Sequence, residues 1–308
     1  MFTKETPQDT FFLKKKSINC NGKMLNLDEP LVMGILNLTP DSFFDGGKHS
    51  GEATIVHHVK QMLSDGASII DIGGYSSRPG AKEVTEKEEL KRVLPIIKLL
   101  KQEFDEIVIS IDTFRATVAE QAVQHGAAIV NDISAGNMDN KMFEVITDLK
   151  VPYVMMHMQG TPPTMQQNPS YQNVTHEVIK FFAEKLEVLY KKGINDVILD
   201  PGFGFGKTLE HNFQLLNELE HFNLFELPVL VGISRKSMVT KPLNIKTQEA
   251  LNGTTALNAF ALTKGASILR VHDVKEAKQT VELFNWMQKP TLTLPKGGNS
   301  PLEGDKEG

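Results

Sequence analysis

At 308 residues and 40% hydrophobic composition, the chain is long enough for one large domain or two average ones with a substantial core. Its 33 Lys and Arg against 38 Asp and Glu leave a net charge of −5, which gives no electrostatic footprint for nucleic acid. Cys20 is the only cysteine, which excludes a disulfide framework and a Cys-based metal site, and no apolar run approaches membrane-spanning length.

The first sixteen residues, MFTKETPQDTFFLKKK, are polar. They lack the apolar core and small-residue cleavage site of a signal peptide, so residues 1–16 read as a flexible segment and the protein as cytoplasmic, without membrane partners. Ser17 to Leu27 carries Asn21-Gly22 between two short runs, a hairpin signal. A rhythm then begins. Apolar runs predict buried strands at 31–36, 67–72, 106–111, 127–133, 151–156, 196–199, 228–233 and 266–271. Helical patterns follow each in turn, over 51–65, 85–104, 114–125, 141–149, 175–192, 208–222, 247–264 and 274–288. Thr85 with Glu88 has the spacing of a capping box, and Gly66, Gly126, Gly193 and Gly265 stand where helices end before strands. Eight such units predict an α/β fold: a (β/α)8 TIM barrel, a single domain over 17–288 whose N-terminal β-hairpin caps one end. A doubly wound sheet is the alternative. Residues 289–308, rich in Pro, Gly and charge, read as a disordered tail.

In such barrels the chemistry sits at the C-terminal ends of the strands. Here every predicted strand ends in polar groups: Asn37, Asp71, Asp112, Asn131-Asp132, His157, Asp200, Ser234-Arg235-Lys236-Ser237, then Arg270 and His272. Polar groups gathered in a mouth must pair with one another or with a ligand. Asp71 and Asp132 are readily accounted for by pairing with neighbouring strand ends. Asp112, Asn131, Asp200 and Lys236 match the edge of a pyrimidinone-like ring, with its N–H donors and carbonyl. Arg78, Arg235, Arg270 and His272 are cations suited to a phosphate-like anion; a surface ion pair is the commoner explanation of any single Arg, and their joint position at strand ends is what favours the anion. Asn37 offers a carbonyl oxygen to a hard cation bridging that anion, and Mg2+ suits few protein ligands plus phosphate oxygens. The loops after the first two strands are long, Gly- and Pro-rich, with the composition of active-site lids.

The stretch ILDPGFGFGK at 198–207 has its own logic. Asp200 ends a strand, Pro201 stops ladder pairing, and three glycines alternate with Phe203 and Phe205 before Lys207. The loop presents bare backbone, two aromatic faces, an acid and a base, which suits a flat ring; a glycine-rich connection with structural phenylalanines fits equally. A phosphate-cradling loop would need Gly where Pro201 stands, and the glycines at 202, 204 and 206 do not form a dinucleotide fingerprint. His57, His58, His125, His176, His211 and His221 fall on outer helices, so no histidine metal site is expected. Met155, Met156 and Met158, around His157, read as barrel filling.

Taken together, the motifs resemble dihydropteroate synthases, the sulfonamide target of folate biosynthesis. They are MGILNLTPDSFFDGG at 33–47, DIGGYSSRPGA at 71–81, SIDTF at 110–114, VNDIS at 130–134, MHMQGTP at 156–162, LDPGFGFGK at 199–207, GISRKS at 232–237 and RVHDV at 270–274. The resemblance spans residues 17–288 and implies the condensation of 6-hydroxymethyl-7,8-dihydropterin diphosphate with p-aminobenzoate, releasing diphosphate. It implies that Asp112, Asn131, Asp200 and Lys236 hold the pterin, that Asn37 binds Mg2+, and that Ser77, Arg78, Arg270 and His272 hold the diphosphate. Phe43, Pro79, Phe203 and Ser237 would border the p-aminobenzoate pocket, and a homodimer is implied. The family reaction it points to is dissociative, with departure of diphosphate preceding attack by the arylamine. One loop departs from the family pattern G-E-S-T-R-P-G, with Tyr75 in place of the acid and Ser77 in place of Thr. A pterin-binding methyltransferase barrel, or a barrel that keeps the pterin site without turnover, are the other readings.

Overall fold

The computed structural model describes residues 15–38, 48–76 and 83–289. The chain opens with an antiparallel hairpin, β1 (Ser17–Cys20) and β2 (Lys23–Asn26). Its turn is Asn21-Gly22 with φ of 52° and 90°, the left-handed pair that a two-residue hairpin turn requires. The Asn19 side chain accepts the Gly22 N–H at 2.8 Å and fixes it.

Eight parallel strands follow: β3 (Leu31–Asn37), β4 (Ile69–Gly73), β5 (Ile109–Asp112), β6 (Ile129–Asp132), β7 (Tyr153–Met156), β8 (Val197–Asp200), β9 (Leu230–Val231) and β10 (Ile268–Val271). Their order is β8-β7-β6-β5-β4-β3-β10-β9, and a parallel bridge from Leu199 to Val229 joins the two ends. The sheet therefore closes as a barrel, and the doubly wound alternative falls. Alternation along each strand separates two cores. Inside, Met33, Ile69, Val108, Ile129, Val154, Ile198, Leu230 and Ile268 fill the bottom of the barrel, and Ile18 and Cys20 of the hairpin plug it. Outside, Ile70, Ile72, Ile109, Ile111, Val130, Val197 and Leu199 pack under the helices. The hairpin caps the N-terminal end, as its position in sequence suggested. The backbone N–H of Lys15 donates to the Glu226 carbonyl at 2.8 Å, and its ammonium pairs with Asp196.

The described helices are α1 (Lys48–Ser64), α2 (Glu86–Glu103), α3 (Ala116–Gln124), α4 (Met142–Leu149), α5 (Val174–Lys191), α6 (Leu209–Asn217), α7 (Ser237–Leu243), α8 (Leu251–Thr263) and α9 (Val274–Gln288). Thr85 caps α2 by accepting the Glu88 N–H at 3.3 Å, but the Glu88 carboxylate turns to Arg92 instead of completing a capping box. Thr208 and His211 make the reciprocal box, on α6. The four helix-ending glycines all have positive φ. Two predicted helices break. The 208–222 pattern divides into α6 and a 3-10 turn over Leu219–Phe225, and the 247–264 pattern into a 3-10 turn over Thr247–Glu249 and α8. The short helix α7, which contains Pro242, is one that the apolar spacing does not mark. Among the described residues no helix is long and apolar enough to cross a membrane.

Candidate active site at the C-terminal mouth of the barrel

Parallel pairing sets the polar residues on shared rungs. Asn37 pairs with Gly73, Gly73 with Asp112, and Asp112 with Asn131, so one row of inward positions carries an amide, a gap, a carboxylate and a second amide. The gap lies between two polar side chains: a Cβ on Gly73 would stand 3.5 Å from Asn37 Oδ1 and 3.7 Å from Asp112 Oδ2. On β8, Asp200 pairs with Met156.

Arg270 joins the ring across the barrel. Its Nε donates to Asp71 Oδ2 at 2.6 Å and its Nη2 to Asp112 Oδ2 at 2.6 Å, while Asn131 Nδ2 donates to the same Asp71 oxygen at 3.0 Å. Asp71 thus pairs with its neighbours and acts as a hub; its other oxygen is buried without a hydrogen-bond partner. Asp132 faces the opposite way. It accepts from Ser134, Gly136 and Tyr153 outside the barrel and braces the turn after β6. Alternation along β6 puts Asn131 and Asp132 on opposite faces, and closure of the barrel makes the Asn131 face the inner one.

The β8 loop lies flat across the mouth. A Cβ on Gly202 would fall 1.9 Å from the His157 carbonyl oxygen, and one on Gly206 would fall 2.3 Å from that of Gln159. Gly202, Gly204 and Gly206 all have positive φ. The glycines serve this close approach to the β7 loop, and the Gly202 N–H turns back to Asp200 Oδ1 at 2.8 Å. The two phenylalanines separate. Phe203 is fully buried in the layer beneath the helices, so its ring is not at the mouth; its carbonyl accepts from Lys236 Nζ at 2.5 Å. Phe205 is the aromatic face at the site, 4.5 Å from Lys236 Nζ. Lys207 is no free base. It is 2% exposed and donates inward to backbone carbonyls and to His157.

After β9 the chain turns at Arg235 with φ of 58°, a left-handed conformation unusual for a residue with a side chain. That turn points Lys236 back into the ring and leaves the Arg235 guanidinium exposed against Asp273. The structure does not bring Arg235 to the carboxylates. Ser237 is exposed at the start of α7. His272 Nδ1 lies 3.2 Å from Ser234 Oγ at the rim. Asn37, Asp112, Asn131, Asp200, Lys236, Arg270 and His272 all stand at the C-terminal strand ends and their loops. Phe43, Ser77, Arg78 and Pro79 lie outside the described residues. Tyr75, at the start of the second loop, sets its ring edge on Phe114 at 5.2 Å, with Arg115 above both rings and paired with Glu89.

The methionines divide as well. Met155 packs in the outer layer, whereas Met156, Met158 and Met165 join Phe114, Ile133, Tyr75 and Phe205 in an apolar wall beside Asp200. Sequence spacing gave no sign of Met165.

Burial sets the electrostatics. It pushes Asp112 up to about 7, against the pull of Arg270 and with a further push from Asp71. It raises Asp200, opposed by Lys236, the Gly202 N–H, Arg270 and Lys207. Lys236 is lowered to about 8 by burial, with Asp200 resisting. An array of carboxyl acceptors, an amide and an ammonium in a largely buried mouth suits a flat ring with several N–H donors and a carbonyl.

A family model described as pterin binding enzyme matches residues 33–272. The dihydropteroate synthase of Escherichia coli K12 is 46% identical over 264 residues, covering 85% of this chain and 93% of that protein. A Yersinia pestis dihydropteroate synthase, solved with a sulfonamide drug, superposes with a TM-score of 0.82 at 44% identity, over 88% of this chain and 98% of that one. That of Xanthomonas albilineans, solved with 7,8-dihydropteroate, gives a TM-score of 0.80 at 35% identity, over 89% and 99%. A closed barrel, a carboxylate-and-amide mouth and these likenesses converge: the chain belongs to the pterin-binding enzyme family, among its dihydropteroate synthases.

Proposed function

We propose that the mouth assembled by Asp112, Asn131, Asp200 and Lys236 holds the pterin of the dihydropteroate synthase reaction, with Arg270 and His272 on the side of the departing diphosphate. The reaction is the transfer of the pterin methylene from diphosphate to the amine of p-aminobenzoate. The observation that carries the residue roles is the shared rung of Asn37, Asp112 and Asn131, with Arg270 bonded to Asp112 from across the barrel.

In this reading the Asp112 and Asp200 carboxylates accept ring N–H groups, Asn131 supplies a mixed amide edge, and Lys236 donates to a ring acceptor. As the C–O bond breaks, positive charge develops on the ring, and the same carboxylates stabilise it. Negative charge develops on the diphosphate, and the cations at β10 stabilise that. The Phe205 face and the Met156–Met158–Met165 wall exclude water from the ring. No side chain acts as a nucleophile, because the amine attacks directly.

Mg2+ fits this arrangement. Asn37 Oδ1 and Asp112 Oδ2 both border the space above Gly73, so Asn37 would supply an amide oxygen to a hard cation held there. When bound, the ion neutralises charge on the leaving diphosphate. A homodimer is part of the same reading: Leu283, Trp286 and Met287 are each more than two-thirds exposed on one stretch of α9. An apolar face of that kind fits a second copy of the chain.

The test is turnover. Purified protein given the pterin diphosphate, p-aminobenzoate and Mg2+ should release diphosphate and form dihydropteroate in equal amounts. Pterin binding without either product would reduce the reading to a binding barrel.

A further inference from the structure

Among the described residues, the mouth brings together the carboxylates Asp71, Asp112 and Asp200 with the cations Lys236 and Arg270. A further cation lies beneath the β8 loop. Lys207 Nζ sits 3.0 Å from His157 Nδ1, 2.9 Å from the Gly202 carbonyl, 3.1 Å from that of Phe205 and 3.3 Å from that of His157. An ammonium has three hydrogens and no lone pair, so this shell of lone pairs fits a charged lysine and satisfies all of them. His157 completes the shell as an acceptor, because burial and the adjacent Lys207 hold its imidazole neutral. No carboxylate is hydrogen-bonded to this cation among the described residues.

A buried charge without a bonded counter-charge is expensive, and a lysine whose only task was to fill space would be better replaced by an apolar residue. Its surroundings point to a task. The Gly202 whose carbonyl Lys207 holds is the residue whose N–H holds Asp200 Oδ1. Phe205, whose carbonyl it also holds, presents its ring to Lys236. One ammonium therefore ties down both ends of the turn that orients the acid and the aromatic face. We propose that Lys207 is a positioning residue of the pterin site: its buried ammonium clamps the Gly202–Phe205 turn and keeps the ionised Asp200 carboxylate set against the ring. The proposal rests on the reading that the pterin engages Asp200.

The charged groups facing Lys207 are Asp200, which favours its protonated form, and Lys236, which opposes it, while burial lowers it to about 7. Linkage gives a test in the unmodified protein. If the Lys207 charge favours pterin binding, then pterin binding must favour the Lys207 charge by the same factor. The 13Cε resonance of Lys207, followed through pH with and without a non-reactive pterin lacking diphosphate, should show its titration moving to higher pH when the pterin is bound. A titration that stays in place, or moves down, overturns the proposal. In parallel, Lys207→Met should weaken binding of the bare pterin on the order of tenfold, within the usual range for coupled groups. Lys207→Arg, which keeps the charge, should lose less. Equal losses in a folded pair of variants would make the side chain a matter of shape alone and overturn the charge role. Asp200→Asn separates the two levels: if it leaves pterin affinity unchanged, the ring assignment itself fails. If it weakens affinity while the Lys207 titration ignores the ligand, only the clamp fails.

Discussion

Asp112 is a carboxyl whose burial holds it at about 7, yet a pterin ring needs it ionised to accept N–H groups. The sign is direct. Above about 7 it is the carboxylate paired with Arg270; as pH falls below that, the folded apo-protein takes up this proton before the unfolded chain does and gains stability, while the binding-competent anion is lost over the same range. Calorimetry with a non-reactive pterin should show affinity level above about pH 7 and falling towards tenfold per pH unit below it. Asp112→Asn should flatten that dependence and weaken binding by roughly 1.5–3 kcal/mol, the worth of a hydrogen bond to a charged group. A wild-type profile level down to pH 5.5 would remove Asp112 from the ring edge. Arg270 behaves differently from His272. Because Arg270 bridges Asp71 and Asp112, Arg270→Ala leaves two carboxylates without their cation and should destabilise the fold by roughly 3 kcal/mol. His272→Ala should leave the melting temperature near wild type while impairing the diphosphate substrate more than the bare pterin. Matching melting curves for the two variants would mean the Arg270 bridge is not structural.

The β8 loop is the element on which the site turns. At Gly202 a methyl group meets the His157 carbonyl oxygen at 1.9 Å, a backbone atom that cannot swing aside, whereas at Gly193 it meets nothing within 4 Å. Both residues have positive φ, so alanine at either carries the left-handed penalty of about 1–2 kcal/mol. Gly202→Ala should add a displacement of the loop. Its melting temperature should fall clearly further than that of Gly193→Ala, and its pterin affinity should fall with it. Gly193→Ala should keep affinity intact. If the two variants bind pterin equally well, the loop does not set Asp200.

For the whole molecule, the exposed stretch of α9 sets the expectation. Trp286→Asp places a charge in the middle of the apolar face formed with Leu283 and Met287. Light scattering on the eluting protein should show a dimer for wild type and a mostly monomeric species for the variant, and pterin binding per chain should persist, since α9 flanks the barrel and contributes none of the ring residues. A wild-type monomer at micromolar concentration would send that face to some other partner.

Closure of the sheet through Leu199 and Val229 was decided by the tertiary structure, whereas the sequence by itself determined the eight strand–helix units, the hairpin and the level at which the chemistry sits. These follow from local rules: strand-length apolar runs, helix-ending glycines, an Asn-Gly turn, and polar residues recurring at strand ends. It also carried enough motif order to point to the family. Tertiary structure alone decided which way each polar group faces. Asn131 and Asp132 are adjacent letters, and only the inside of a closed barrel distinguishes a ring-facing amide from an acid braced behind the wall by Tyr153. Phe203 and Phe205 are equivalent in the pattern, yet one lies in the core and the other faces Lys236. Lys207 reads as the base of its loop and Arg235 as an anion-binding cation or half of a surface ion pair, because a sequence shows charge and not partners; one is enclosed by carbonyls 2.9–3.3 Å away and the other is paired with Asp273. The physical reason is common to all of them: strand and helix periodicities are short-range and repeat along the chain, whereas hydrogen-bond partners at a barrel mouth come from elements separated by as many as 199 positions, as in Arg270 and Asp71.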